Sequence, residues 1–244
     1  MTERILGLDD WHGNNWSDID QVGGDVQFCY YRLGFALDKD LSFEKSWAGG
    51  KDTWRKGVYY AFSPYYSVDQ AKRFIEMHEG LYRDATLPFA LDVERDDGIS
   101  KPEIIRKLTE LRDWLIQKYG KIIIYTGGWW WNEFIRPIPR WQAEQDFWLA
   151  FYPFTTKPKV RLTWENLKNW YPRNWIYPLH GGGRVVLWQW SGDKFLLPGV
   201  SGAIDLNFAE LEWWHELGYS EPTILDRVND LTYRVKAIEA KLAE

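Results

Sequence analysis

The sequence has little cysteine, no long apolar run and no excess of positive charge. Its single cysteine, Cys29, excludes an intrachain disulfide and any zinc module built from several cysteines. No stretch of 18 apolar residues occurs, so we expect no transmembrane helix and no membrane partner. The formal net charge of −5 argues against a nucleic-acid partner, because binding phosphates requires a basic surface. A length of 244 residues fits one globular domain with a small additional segment.

A recognisable signal peptide is also missing. Residues 1–4 lead directly into the apolar segment 5–8, which is too short for the core of a signal peptide. No small-residue cleavage site follows that segment. We therefore expect that the protein is not exported by that route, or that a signal was removed from the sequence.

Aromatic residues, in contrast, are abundant. The chain contains 17 Trp, 14 Tyr and 12 Phe, so aromatics make up 18% of it. Aromatic side chains bury a large area, and their faces carry a negative quadrupole on which the C–H faces of sugar rings can stack. A tryptophan-rich core and a sugar-binding surface both remain open as explanations.

Short β-rich segments alternate with helical segments along most of the chain. The β-rich segments are near-continuous apolar runs, as expected for strands buried on both faces of a parallel sheet. One helical segment has Ser100 and Glu103 as a candidate capping box and Gly120 after its end. We predict an α/β fold whose sheet closes into a barrel, and a loop over 127–131. The predicted strands cover 26–31, 57–62, 88–94, 121–125, 147–150 and 185–190.

The C-terminal segment has a different pattern. Apolar residues recur at alternating spacings of four and three, which predicts a coiled-coil helix that joins chains into a homo-oligomer. An amphipathic helix that packs back on the barrel is the alternative. Pro222 and the polar residues before it form a candidate linker. The apolar positions are Ile224, Val228, Leu231, Val235, Ile238 and Leu242.

Carboxylates follow several of the predicted strands. Asp92 and Glu94 end an apolar strand and point to the same side, because successive side chains alternate between faces. Asp9 ends the first strand, and Asp205 is predicted to end the last, which neighbours the first in a closed barrel. Burial and like charge would raise the pKa of some of these groups, which gives the acid and the base that glycoside hydrolysis requires. An exposed acidic strand end is the alternative for residues 92–94.

Other kinds of chemistry lack their motifs. There is no glycine-rich phosphate loop and no nucleophile elbow, and Cys29 is expected to be a small buried apolar residue. The four histidines show no metal-ligand spacing, and we interpret them as surface or packing residues. We expect no metal and no cofactor. The histidines are His12, His78, His180 and His215.

The chain resembles glycoside hydrolase family 25, the lysozyme (muramidase) family found in bacteria, fungi and phage lysins. The similarity covers roughly residues 5–217, and its motifs occur in the order that the family has. They are Gly7-Leu8-Asp9 with Trp11-His12-Gly13, Gly57-Val58-Tyr59-Tyr60, Leu91-Asp92-Val93-Glu94, Ile124-Tyr125-Thr126, Trp148-Leu149-Ala150-x-Tyr152, Trp188-Gln189-Trp190 and Val200-x-Gly202-x-x-Asp205-Leu206-Asn207.

The resemblance implies an irregular TIM-like barrel with eight strands and fewer helices, as a catalytic domain over 1–219. Residues 220–244 would then form the linker and the coiled-coil helix. It also implies hydrolysis of the β-1,4 bond between N-acetylmuramic acid and N-acetylglucosamine in peptidoglycan. A phage endolysin, made in the host cytoplasm and acting on the cell wall, would fit this activity and the missing signal; secretion by another route remains open.

By the same resemblance, Glu94 would be the general acid/base, and Asp92 would orient the 2-acetamido group of the substrate or stabilise positive charge on it. Asp9 and Asp205 would complete the acidic cluster. The motif leaves open whether an enzyme nucleophile or the acetamido oxygen attacks, and we favour the acetamido oxygen. One departure is Arg32, which stands where the family usually has Lys. Candidate sugar contacts are Tyr59, Tyr60, Tyr125, Trp188 and Gln189.

Two other functions compete with a muramidase. A barrel of weak activity that binds glycan, in a phage or surface assembly, would keep the fold and lose catalysis. A glycosidase that acts on chitin-like polymers would keep the carboxylates and change the substrate.

Overall fold

The computed structural model describes residues 4–14, 16–23, 25–155, 157–174 and 179–220, together with Val235. Apart from Val235, the predicted coiled-coil positions lie outside the described residues. The coiled coil and the division at residue 220 therefore stay predictions. No described helix is long and apolar enough to cross a membrane.

The described part of the chain contains ten strands, of which two are very short. The strands are β1 (Arg4–Asp10), β2 (Val26–Phe35), β3 (Asp38–Lys39), β4 (Arg55–Ala61), β5 (Phe89–Asp92), β6 (Ile122–Gly127), β7 (Asp146–Ala150), β8 (Val160–Arg161), β9 (Arg184–Leu196) and β10 (Ala203–Glu210). The helices are α1 (Phe43–Gly49), α2 (Val68–His78), α3 (Lys101–Tyr119), α4 (Gly128–Phe134), α5 (Trp164–Leu167) and α6 (Leu211–Glu216).

Eight of the strands close into a barrel in the order β1-β10-β9-β7-β6-β5-β4-β2, and β2 pairs with β1. The short strands β3 and β8 pair with β2 and β9 outside this ring. Within the ring of eight, neighbouring strands are parallel except around β10, which runs antiparallel to both β1 and β9. The prediction of a closed α/β barrel is confirmed, but the sheet is mixed rather than purely parallel.

Two apolar clusters account for most of the aromatic residues. One fills the barrel and continues to α6, whose Trp213 and Trp214 lie in the same cluster as Phe28 and Tyr30. The other lies between the barrel and the outer helices. Of the sixteen tryptophans that the structure describes, nine are buried, so the core takes the larger part of the aromatic excess.

A glycine makes room for an aromatic ring inside the barrel. A Cβ on Gly7 would lie 2.1 Å from the Phe28 ring, so β1 and β2 can hold this ring between them only because residue 7 has no side chain. Close packing of this kind leaves little space inside the barrel below its carboxyl end.

Two local predictions on the helices were wrong. Ser100 does precede α3, but its side chain makes no capping hydrogen bond; Glu103 pairs with Arg106 instead. Residues 128–134 form helix α4 rather than a loop. Gly128 and the three tryptophans that follow it have low or modest helix propensity, and the helix is supported by burial of Trp130 and Trp131 instead.

Candidate active site

The end of β5 and the extended segment that follows it carry Asp92 and Glu94. The Phe62 amide donates to the Asp92 carbonyl at 2.9 Å, and the Val93 amide donates to the Tyr125 carbonyl at 2.9 Å. The side chain of Val93 is buried in the outer core, so both acidic neighbours face the barrel axis. The expected common orientation of Asp92 and Glu94 is therefore present, at the carboxyl end of a parallel strand.

Asp9 and Asp205 are paired directly across β1 and β10. Asp205 is the third residue of β10, and the expectation that it ends the last strand was wrong. Because β10 is antiparallel to its neighbours, its beginning lies at the same end of the barrel as the carboxyl ends of the other strands. The register shifts between Ile204 and Leu206, which marks a bulge at Asp205 and turns its side chain.

All four carboxylates line one cavity of ≈ 200 Å³. Its wall is otherwise mostly aromatic, with one cation. The lining residues are Asp9, Trp11, Arg32, Tyr59, Asp92, Glu94, Tyr125, Trp148, Gln189 and Asp205. No cluster of His, Cys, Asp and Glu with the geometry of a metal site occurs among the described residues.

Asp9 is held by two side-chain amides. Asn207 Nδ2 donates to Asp9 Oδ2 at 2.7 Å, and Gln189 Nε2 donates to the same oxygen at 2.9 Å. The oxygen of each amide is bound in turn: Trp148 Nε1 donates to Asn207 Oδ1 at 2.7 Å, and the Tyr125 hydroxyl donates to Gln189 Oε1 at 2.9 Å. This network fixes the orientation of both amides and hence of the Asp9 carboxylate.

Burial raises the pKa of every carboxyl group in the cavity. The pKa of Glu94 rises to about 7, chiefly through loss of hydration, although the Gly127 backbone amide lowers it. The pKa of Asp9 rises to about 6 for the same reason, against the lowering effect of Asn207 and Gln189. Burial and the charge of Glu94 raise the pKa of Asp92, and burial and the charge of Asp9 raise that of Asp205.

Arg32 is the one cation among the described residues that line the cavity. Its Nε donates to Asp40 Oδ2 at 2.8 Å, and its guanidinium carbon lies 5.1 Å from the ring centre of Trp11. Asp40 is buried, and hydrogen bonds from Ser42 and the charge of Arg32 lower its pKa despite that burial. The positive charge of Arg32 lowers the pKa of Asp92 and so partly offsets the effect of burial there.

The predicted sugar contacts fall into two groups. Tyr59, Tyr125 and Gln189 line the cavity. Tyr60 and Trp188 do not: the Tyr60 hydroxyl donates to the Ala36 carbonyl at 2.6 Å, and Trp188 Nε1 donates to the Phe151 carbonyl at 2.8 Å, both in the outer core. Each is the strand neighbour of a cavity residue and must face the other way.

Sequence reasoning assigned no role to several residues of the site. Asn207, Trp148 and Tyr152 belong to the family motifs, but the motifs by themselves do not show that the Asn207 amide holds Asp9. The Tyr152 hydroxyl donates to Gln189 Oε1. Alternation along β10 does place Asn207 on the same face as Asp205, and that signal was available.

The sequence profile described as "Glycosyl hydrolases family 25" matches residues 8–197. The chain belongs to this family. It is therefore a glycoside hydrolase, and the resemblance seen in the motifs is confirmed. The matched range contains Asp9, Asp92 and Glu94; Asp205 lies beyond its end.

The chain is also similar in sequence to a curated protein and in fold to solved structures. "Lysozyme M1" of Streptomyces globisporus is 25% identical over 230 residues, covering 84% of this chain and 68% of that protein. A family 25 lysozyme from Aspergillus fumigatus has a TM-score of 0.66 at 17% identity, over 89% of this chain and 100% of that one. The catalytic domain of endolysin ply40, from a bacteriophage of Listeria monocytogenes, has a TM-score of 0.62 at 17% identity, over 90% and 100% of the two chains.

Proposed function

We propose that this glycoside hydrolase is a muramidase that uses Glu94 as general acid/base on the β-1,4 bond between N-acetylmuramic acid and N-acetylglucosamine. The observation that carries the assignment is a glutamate whose pKa is raised to about 7, in a cavity with three further carboxyl groups. A carboxyl group with this pKa holds its proton near neutral pH and can still give it up.

These positions support the following proposed steps. Glu94 gives its proton to the glycosidic oxygen as the bond from that oxygen to C1 breaks. The acetamido oxygen of the sugar that contains this C1 attacks it. Asp92 accepts a hydrogen bond from the acetamido N–H and stabilises the positive charge that develops on the acetamido group. The Glu94 carboxylate then takes a proton from water, which attacks C1 and restores the acetamido group with net retention of configuration.

Asp9 and Asp205 take a supporting part in this proposal. Asp9 is held by Asn207 and Gln189, and the Asp193 amide donates to Asp205 at 2.7 Å, so neither carboxylate is free to swing toward the substrate. The charge of Asp9 raises the pKa of both Glu94 and Asp92 and favours a developing cation. A muramidase of this kind would act on peptidoglycan in the bacterial cell wall.

The test is digestion of purified Gram-positive peptidoglycan by the protein and by Glu94→Gln. Products are reduced and identified by mass spectrometry. We expect reduced muramic acid ends from the unsubstituted protein and a loss of about 10²–10⁴-fold in rate for Glu94→Gln, the usual contribution of a general acid. Reduced glucosamine ends would contradict the bond assignment. Absence of products with retained binding to the wall would point to a glycan-binding barrel, and cleavage of chitin oligomers alone to a chitin-like substrate.

We also infer that residues 224–242 join chains into a homo-oligomer. The inference rests on the heptad spacing of their apolar residues, because such a stripe leaves an apolar surface that a second helix of the same kind would cover. A single helix of this length is marginally stable in water, which is a further reason for association.

A further inference from the structure

Helix α4 carries three consecutive tryptophans with very different surroundings. Trp130 and Trp131 are 3% and 1% exposed and belong to the outer core. Trp129 is 70% exposed, more than any other tryptophan that the structure describes. Packing therefore explains why residues 130 and 131 are tryptophan, but it does not explain Trp129.

The position of Trp129 connects it to the acidic cavity. A Cβ built on Gly127 would lie 2.8 Å from Trp129 Nε1 and 3.1 Å from Glu94 Oε1. The indole and the Glu94 carboxylate thus border the same small space beside Gly127, next to the cavity that Glu94 lines. Any side chain at residue 127 would fill this space, so Gly127 permits the approach of the two groups.

The neighbouring aromatics of the site are already engaged. Tyr152 binds Gln189 through its hydroxyl, and Trp11 lies under the guanidinium of Arg32. Tyr59 and Tyr125 are buried in the barrel wall. Trp129 offers a large aromatic surface to solvent next to Glu94. A flat apolar surface with a polar N–H at its edge matches a pyranose ring, which has apolar C–H faces and a rim of polar groups.

We propose that Trp129 binds a sugar ring of the glycan adjacent to the cleaved bond by stacking, and so extends the binding site beyond the cavity. The inference rests on the proposed muramidase function. It predicts that Trp129 contributes to affinity for the glycan chain and hardly at all to the chemical step.

The test compares binding in an inactive background. Isothermal titration with soluble, uncross-linked peptidoglycan strands is carried out on Glu94→Gln alone and on the same protein with Trp129→Ala, Trp129→Phe or Met77→Ala. Met77 is a matched control, since it is 77% exposed and lines a separate cavity between α2 and the strand ends. We expect Kd to rise roughly tenfold for Trp129→Ala, equivalent to about 1.4 kcal/mol. Trp129→Phe should restore most of the affinity, and Met77→Ala should change nothing.

Kinetics on the active protein supply the second measurement. For Trp129→Ala we expect KM for the same strands to rise by a similar factor, with kcat within about twofold of the starting value, because the contact is made equally in the ground and transition states. The pH profile of kcat should stay in place, which a disturbance of Glu94 would shift.

Three results would overturn the proposal. In the first, Trp129→Ala binds as tightly as the Met77→Ala control. In the second, Trp129→Phe loses as much affinity as Trp129→Ala, which excludes stacking. In the third, kcat falls while KM is unchanged, which makes Trp129 a support for Glu94. If the unsubstituted protein releases no reducing ends, the muramidase function fails, while the titration still decides whether Trp129 binds glycan.

Discussion

Replacement of Glu94 by Gln should make the protein more stable at alkaline pH while it removes activity. The folded protein holds Glu94 with a pKa of about 7, against an ordinary value of 4.5. Below pH 4.5 the group is protonated in both the folded and unfolded chains and has no effect. Between the two values the unfolded chain releases the proton and the folded chain keeps it, so the free energy of unfolding falls as pH rises. Above about pH 7 both chains have released the proton, and the free energy of unfolding stays at its lowered value.

The size of the effect follows from the shift. A change of one unit in pKa corresponds to about 1.4 kcal/mol, so the rise from 4.5 to about 7 gives an upper limit of about 3 kcal/mol. Glu94 is partly exposed, and water at the cavity mouth reduces this figure; we expect a gain of about 2 kcal/mol for Glu94→Gln at pH 8. For a domain of this size that corresponds to a rise in Tm of about 4–8 °C.

The measurement is urea unfolding of both proteins at pH 4.5 and at pH 8. Glutamine can still accept the Gly127 amide hydrogen bond, so the substitution mainly removes the charge. Glu133→Gln is the matched control, because Glu133 is exposed on α4. The free energy of unfolding of this variant should equal that of the unsubstituted protein at both pH values. Equal stability of Glu94→Gln and the unsubstituted protein at pH 8 would refute the argument that burial of this carboxylate destabilises the fold.

Three further outcomes are expected. The ratio kcat/KM should fall about tenfold per pH unit above roughly pH 7, because Glu94 must carry the proton that it donates; a profile that stays level to pH 9 would exclude this residue as the acid. Asn207→Ala should lower the free energy of unfolding in urea by about 2 kcal/mol, since it leaves the buried Trp148 Nε1 without an acceptor. It should also raise the pKa of Asp9 further, because a hydrogen bond to that carboxylate is lost. An unchanged free energy of unfolding would mean that this hydrogen-bond network does not stabilise the fold. Deletion of residues 221–244 should lower the mass measured by light scattering without unfolding the barrel, and an unchanged mass would argue against the coiled coil.

Much of the site could be predicted because it depends on local pattern. Alternation along a single strand is enough to put Asp92 and Glu94 on one face, and an apolar run before Asp9 is enough to place it at a strand end. The same alternation separates Tyr59 from Tyr60 and Gln189 from Trp188, yet adjacent residues were predicted to share a role. In these two pairs, strand alternation by itself predicts that only one residue of each pair faces the cavity.

The sequence by itself determined the strands, the three carboxylates that follow strand patterns and the order of the family motifs, because each depends on residues close together in the chain. Only the tertiary structure decided that β10 runs antiparallel, so that Asp205 reaches the site from the beginning of its strand. It also decided that Asn207 holds Asp9 across 198 residues and that Trp129 stands beside Glu94. These contacts join segments far apart in the chain, and closure of the barrel brings them together.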